Sequence, residues 1–216
     1  MHLTSETLAL AQQRLVKTFP ALERLVAEVQ APPIAPPVLV PSPGLAAFQE
    51  LIQAIIHQQL SIKAGATITG RLVDLVQGRV EPATLLELET PTLRAIGLSG
   101  QKAGYIKSLA EHVLADEAGF NQLHLQPNEV VIKKLTAVKG IGEWTAQMYL
   151  IFQLWRPDVW PTKDLGVVKG AAMLMGIDHN PTEEALRKLA EPMAGYRTVM
   201  AWYMWRVYQH PDMLIR

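Results

Sequence analysis

The sequence predicts an all-α protein, and three observations carry that expectation. Apolar residues recur three and four positions apart through most of the chain. Ser, Thr, Asp and Pro stand where helices would begin, and no segment alternates apolar with polar residues as a half-buried strand would. The short run Glu129-Val130-Val131-Ile132 continues into helical spacing better than it stands alone as a strand. No unit repeats at a fixed period, which argues against a solenoid.

Taken in order, Leu8, Leu15, Leu22, Leu25 and Val26 place helix over residues 5–29 in two pieces, broken at Pro20. From Ala31 to Gly44 the chain carries Pro32, Pro33, Pro36, Pro37, Pro41 and Pro43, which cannot hold a helix and predict an extended strap between two helical regions. Helices are expected at 46–57 and at 61–77, the second with Ser61 as its N-cap. Shorter ones follow at 82–88 and 91–95, where Thr90-Pro91 puts proline in a first turn. The remaining segments are 100–114, 128–137, 143–154, 165–175, 182–190 and 196–208.

Composition excludes several classes of function. At 216 residues with 49% hydrophobic content the chain can bury a real core. No window reaches the ~18–20 uninterrupted apolar residues of a membrane span, and the opening lacks a charged-then-apolar secretion signal. A cytoplasmic protein, nuclear in a eukaryote, is the expectation. With no cysteine there is no disulfide, thiolate zinc site or cysteine-held iron-sulfur cluster, and the six histidines show no ligand spacing. No catalytic transition metal and no required cofactor are expected. A formal net charge of zero argues against coating nucleic acid through bulk electrostatics, but leaves room for a local grip on a few phosphates by helix-start amides and nearby lysines.

The most informative segment runs from Lys134 to Ala146. One helix is expected to end at about Ala137, a Gly140-Ile141-Gly142 turn follows, and a second helix starts near Glu143. Amides of Gly140, Gly142 and the next turn would then point outward together, an anion-binding geometry to which Lys139 adds charge. A glycine-terminated helix with a tight link explains the same residues without any ligand.

Leu135-x-x-Val138-x-Gly140-Ile141-Gly142-x-Trp144-Thr145-Ala146 resembles the helix-hairpin-helix of DNA glycosylases, specifically the 3-methyladenine DNA glycosylase II branch. The likeness continues in order through four more blocks: Ile55-Ile56-His57-Gln58-Gln59-Leu60-Ser61-x-Lys63-Ala64, Gly97-Leu98-Ser99-Gly100-Gln101-Lys102-Ala103, Pro161-x-x-Asp164-Leu165-Gly166, and Tyr196-Arg197-Thr198-x-x-Ala201-Trp202-Tyr203-x-Trp205-Arg206. The first 44 residues match weakly and are too few for the mixed β-sheet domain that larger members carry in front. The resemblance implies a two-lobed all-α fold without that domain. One lobe would span 45–162, with the hairpin at about 134–147, and the second would join 1–44 to 163–216 with the active-site cleft between them.

It also implies a function: a monofunctional glycosylase of base excision repair that flips alkylated bases out of double-stranded DNA and hydrolyses their N-glycosidic bonds. Asp164 would be the catalytic carboxylate, although on sequence alone it reads as a helix N-cap. Cleavage builds positive charge on the sugar, as in glycoside hydrolysis, and an aspartate beside it is attractive. No second carboxylate or histidine is placed beside Asp164 as an acid, which suits bases that already carry positive charge, 3-methyladenine and 7-methylguanine among them. Trp144, Met148 one turn on, and Tyr196 would wall the base pocket by stacking and cation-π attraction, with packed core as the other reading of Trp144. The residues Met193, Ala194 and Gly195 before Tyr196 are extra relative to the family pattern.

Bifunctional relatives carry at the Trp144 position a lysine that attacks the sugar, so no strand nicking is expected. Neither Lys139 nor Lys163 occupies that position. Gln59 or Leu60 would fill the hole left by the flipped base, where the best-known relative has an apolar residue in place of Gln59. Val138, Lys139, Gly140, Ile141, Gly142 and Thr145 would form the phosphate-binding hairpin. Main-chain oxygens of Thr136, Val138 and Gly140 would hold a monovalent cation, sodium or potassium. The implied partner is double-stranded DNA bearing alkylated bases, met by a monomer. Two rivals are a glycosylase for other damaged or mismatched bases and a non-catalytic helix-hairpin-helix DNA-binding protein. A serine hydrolase built on Gly97-Leu98-Ser99-Gly100 is rejected, since it lacks the final glycine and a preceding strand.

Overall fold

Side-chain caps start the helices where the sequence provides them, as described by a computed structural model for residues 2–33 and 43–214. The helices are α1 (Ser5–Thr18), α2 (Glu23–Glu28), α3 (Pro43–His57), α4 (Ile62–Leu75), α5 (Pro82–Glu87), α6 (Thr90–Ala95) and α7 (Gly100–Ala115). They continue as α8 (Glu117–Asn121), α9 (Asn128–Thr136), α10 (Glu143–Phe152), α11 (Leu165–Met175), α12 (Glu183–Ala190) and α13 (Arg197–Gln209). No strand occurs among the described residues, so the fold is all-α. The proline-rich strap expected over 31–44 falls for the most part outside the described residues.

Thr4, Ser61, Ser99, Asp164 and Thr182 each cap a helix by accepting from an amide three residues on. Pro20 opens a 3₁₀ turn that separates α1 from α2. The expected helix over 143–154 stops at Phe152, and Trp155 turns the backbone with φ of 46°. The helix α8 has no counterpart in the sequence reading.

The described chain divides into two units, 2–33 with 150–214, and 43–149. The division falls at 149/150 instead of the 162/163 expected from sequence, because hydrogen bonds tie the segment after 150 to the first unit. Leu3 N donates to Trp155 O at 2.7 Å, and His2 Nδ1 to Leu154 O at 2.8 Å. Thr198 Oγ1 donates to Arg156 O at 2.6 Å and accepts from Val159 N at 3.0 Å, both inside the unit's core. A buried hydroxyl used in both directions has no reason to be elsewhere.

In the first unit α11 lies against α13, and α1 and α2 pack on the same helix. Leu15, Leu22, Leu25, Val167, Met204 and Val207 belong to one buried cluster there. The helices α11 and α13 approach to backbone contact: a Cβ built on Gly170 would stand 2.0 Å from Met204 O. Trp202 Nε1 donates to Gln30 O at 2.8 Å, tying the end of the N-terminal segment to α13.

In the second unit α7 packs against α3, α5 and α6, with Ala103, Ile106, Leu109 and Ala110 fully buried. Helix α3 contributes Phe48, Leu51, Ile52, Ile55 and Ile56 to the interior. These positions repeat at 3.6-residue spacing, which is why α3 buries one broad face.

The contact at Gly170 gives a stability test. Gly170→Ala is expected to destabilise by about 1–3 kcal/mol, because a methyl group must displace a backbone carbonyl. Gly104→Ala, in a helix interior with nothing within 4 Å of the new Cβ, is expected to stabilise by about 0.5–1 kcal/mol. Thermal melting of the two variants beside the parent checks both signs.

Candidate active site

Asp164 lies where a short loop turns into α11. Its backbone is extended, with φ −75° and ψ 124°, and its Oδ1 accepts from Val167 N at 2.9 Å. The helix-cap reading of this residue is therefore met in the structure. The same oxygen accepts from Trp205 Nε1 at 2.7 Å, a partner forty-one positions away. The residue is only 9% exposed, and the positive end of the α11 dipole faces its side chain.

Trp205 is itself fixed. Its ring stacks on Phe152 at a centroid distance of 5.7 Å and an interplanar angle of 16°. Trp202 meets it edge-on at 6.2 Å, and the Arg206 guanidinium covers Trp202 at 4.3 Å from the centroid. Room for the indole depends on Gly166, where a Cβ would stand 2.6 Å from Trp205 Cδ1. Sequence reasoning placed Gly166 and Trp205 in matched blocks and gave neither a role; their spacing along the chain carries no signal that they touch.

Tyr196 begins α13, nine residues and about 13 Å along the helix from Trp205. Its ring packs against the buried cluster of the first unit, and Arg14 lies 6.0 Å from its centroid. The extra residues before it form a tight turn: Met193 is fully buried, and Gly195 takes φ of 90°. Trp205, farther along the same helix, is an aromatic side chain bonded to Asp164.

In the second unit the hairpin has the expected outline. Val138 and Ile141 are buried and anchor the turn, while Lys139, Gly142 and Glu143 are exposed. Val138 N donates to Leu135 O, and Ile141 N to Val138 O. Ala146 N is the first amide of α10 to close a bond back onto the turn, at Gly142 O, so the amides of 143–145 lie at the open end of that helix. Gly140 has φ of 94°, and a Cβ there would collide with the Tyr105 ring at 2.2 Å. Gly142 has open space around it. Thr145 is buried at the helix start.

Trp144 is 48% exposed, which sets aside the packed-core reading, and Met148 is half-buried one turn along. Gln59 and Leu60 form an exposed turn between α3 and α4, with Gln59 in the left-handed region at φ 57°. Ser61 Oγ accepts from Ala64 N at 3.2 Å, as a cap.

Of the three carbonyls implied for a cation, Val138 O accepts from Ile141 N and Gly140 O from Gln58 Nε2 at 2.9 Å. A carbonyl has two lone pairs, so each keeps acceptor capacity. Neutral hard oxygens are the donor set that an alkali cation takes. Among the described residues no cluster of His, Asp or Glu could hold a metal ion, and no helix is long and apolar enough to cross a membrane.

A strandless helical fold, a glycine hairpin joining two helices and an aspartate bonded at a helix head define the helix-hairpin-helix class of DNA-repair proteins. The family model described as "HhH-GPD superfamily base excision DNA repair protein" matches residues 52–194, and the chain belongs to that superfamily. DNA-3-methyladenine glycosylase 1 of Schizosaccharomyces pombe is 34% identical over 168 residues, which cover 76% of this chain and 74% of the relative. A crystal structure of a DNA-3-methyladenine glycosidase from Bacillus halodurans is similar with a TM-score of 0.78 and 34% identity, covering 94% of this chain and 90% of that one. The S. pombe 3-methyladenine DNA glycosylase in complex with abasic DNA gives a TM-score of 0.74 at 32% identity, covering 92% and 96%.

The bond between Trp205 and Asp164 can be measured without a substrate. In a double-mutant cycle of Trp205→Phe with Asp164→Ala, urea denaturation at neutral pH is expected to return a coupling of about 1.5–3 kcal/mol, the range for hydrogen bonds to charged groups. Additive effects would show that the contact contributes nothing.

Proposed function

We propose that this chain is a monofunctional DNA glycosylase that flips alkylated bases, 3-methyladenine and 7-methylguanine among them, out of double-stranded DNA and hydrolyses their bond to deoxyribose. The observation that carries the reading is the Asp164 carboxylate, tied through one oxygen to a helix-start amide and an indole N–H. A group held this way needs no rearrangement when charge develops beside it.

As the N-glycosidic bond breaks, its electron pair leaves with the base and C1′ becomes electron-poor. A carboxylate about 4 Å from that charge, at an effective dielectric near 20, contributes about 4 kcal/mol, or roughly a thousandfold in rate. Water then attacks C1′, and Asp164 is the group to orient it and take its proton. A base that is already cationic leaves as a neutral molecule, so the reaction requires no acid on the leaving side. The exposed indole of Trp144, with Met148 beside it, suits a flat cationic ring. Tyr196 is assigned to the same pocket through the family pattern.

Gln59 and Leu60 take the place of the flipped base in the stack. The hairpin amides, with Lys139, hold phosphate. Main-chain oxygens of Thr136, Val138 and Gly140 would hold a sodium or potassium ion there, supplying positive charge toward that phosphate. With tryptophan at position 144 the site has no amine nucleophile in the place where bifunctional relatives use lysine, so the strand stays intact. The enzyme works as a monomer on duplex DNA. The names of similar proteins, 3-methyladenine glycosylases from yeast and bacteria, support this substrate class.

Asp164→Asn separates chemistry from folding, because asparagine caps a helix as well as aspartate does. Single-turnover release of 3-methyladenine and 7-methylguanine from methylated duplex should fall about a thousandfold with thermal stability near that of the parent. An unchanged rate removes Asp164 from the reaction. Faster release from oxidised or uracil-containing duplex than from methylated duplex would move the enzyme to another lesion class, and a borohydride-trapped adduct would overturn the monofunctional assignment.

A further inference from the structure

The block Gly97 to Ala103 has no role in the chemistry above, yet its lysine makes two short, charge-assisted contacts in the second unit. Lys102 Nζ donates to Ile56 O and to Gln58 O, each at 2.7 Å. These carbonyls straddle the end of α3, where helix carbonyls lack intrahelical partners and the dipole favours a cation. Partial burial pulls the Lys102 ammonium below its ordinary pKa, as expected of a lysine folded back onto the protein.

The next residue is the strained one. Gln59 holds φ of 57°, a conformation that is unfavourable for any residue with a Cβ. Such a backbone persists only when its surroundings dictate it, and here the carbonyl just before it is gripped by Lys102. The turn is braced from a second side by the His57 ring, which lies so close to Gly65 that a Cβ there would stand 2.4 Å from Nδ1. From a third side, Gln58 Nε2 donates to Gly140 O at 2.9 Å, joining the turn to the hairpin.

Helix α7 supports the hairpin as well. Tyr105 packs under Gly140, and Ser108 Oγ accepts from Lys139 N at 3.4 Å. Lys102, Tyr105 and Ser108 are three residues apart and share one face of α7. That face therefore carries both loops that the proposed reaction turns toward DNA.

We infer that Lys102 is a positioning residue for base flipping: it holds the turn at 58–61 in the conformation that presents Gln59 and Leu60 outward, and through Gln58 it fixes that turn to the hairpin at Gly140. The inference rests on the glycosylase reading for what the turn does, and on the contacts alone for what holds it. Lys102 does not touch the reacting atoms. It removes the need to order the turn at each encounter, so its loss should weigh most where the lesion is still paired and stacked.

The test uses the full chain with Lys102→Met, which keeps the stem and removes the donors, and Lys102→Arg, which restores them. On a 7-methylguanine paired with cytosine, Lys102→Met should lower single-turnover release about tenfold to a hundredfold, as expected for losing one or two charge-assisted hydrogen bonds. Against a lesion placed opposite an abasic site, where unstacking is already cheap, the defect should shrink to within about threefold. Lys102→Arg should recover most of the loss on the paired lesion. Equal defects on both substrates, or none on either, overturn the positioning role.

Hydrogen exchange of the DNA-free protein reads the contacts independently of activity. Amides at 59–61 and 139–141 should exchange faster in Lys102→Met, while the buried amides of α7 stay protected. Unchanged exchange overturns the inference whatever the rates show. Altered exchange in a protein whose parent releases no alkylated base from any duplex overturns the glycosylase reading instead.

Discussion

The candidate site in the first unit depends on one bond pair at one oxygen: Asp164 Oδ1 accepts from the Val167 amide and from the Trp205 indole. The amide contact is local, since any aspartate at the head of a helix can make it. The indole contact is tertiary and demands that α13 lie close along α11. Gly170 permits that approach by leaving room for Met204 O, and Gly166 leaves room for the indole itself. The stack of Trp205 on Phe152 then keeps the ring from turning away. Packing, glycine placement and aromatic stacking thus converge on orienting a single carboxylate.

The second unit answers a different constraint, set by a net charge of zero. A protein without bulk positive charge gains little from long-range attraction to DNA, and its contacts must be placed with care. The hairpin presents helix-start amides instead of a basic patch, and Val138 and Ile141 anchor it from below. Its shape is imposed by the close fit of Tyr105 under Gly140, while the adjoining turn is imposed by Lys102. Both supports come from α7, whose other face is buried among α3, α5 and α6. A rigid helix is a better platform for two loops than either loop is for the other, because helical spacing fixes the distance between the residues that hold them.

Local signals were easiest to read. The helix over 165–175 was legible at both ends, since Asp164 is a cap and Gly176 closes it in the left-handed region. The Ser61 cap, the break at Pro20 and the hairpin between α9 and α10 were legible for the same reason, as each depends on a few adjacent residues. The helix α8 was not, because five residues are too short for a periodic pattern. Its start is set by Asp116, whose side chain accepts from Gly119 N and pairs with Lys134, eighteen positions on. The division between units was misplaced because nothing local shows that Leu3 and Thr198 bond the segment around Arg156.

By itself the sequence determined the helical fold, the helix starts, the hairpin and the membership that its ordered blocks imply, since all of these reside in short stretches of chain where capping, glycine freedom and apolar spacing act. Only the tertiary structure decided that Trp205 bonds to Asp164, that Trp144 stands half in solvent, and that Lys102 braces the turn beside Gln59. Those outcomes join residues dozens of positions apart or depend on what covers a side chain. Hydrogen-bond geometry and burial are properties of the folded neighbourhood, and spacing along the chain does not encode them.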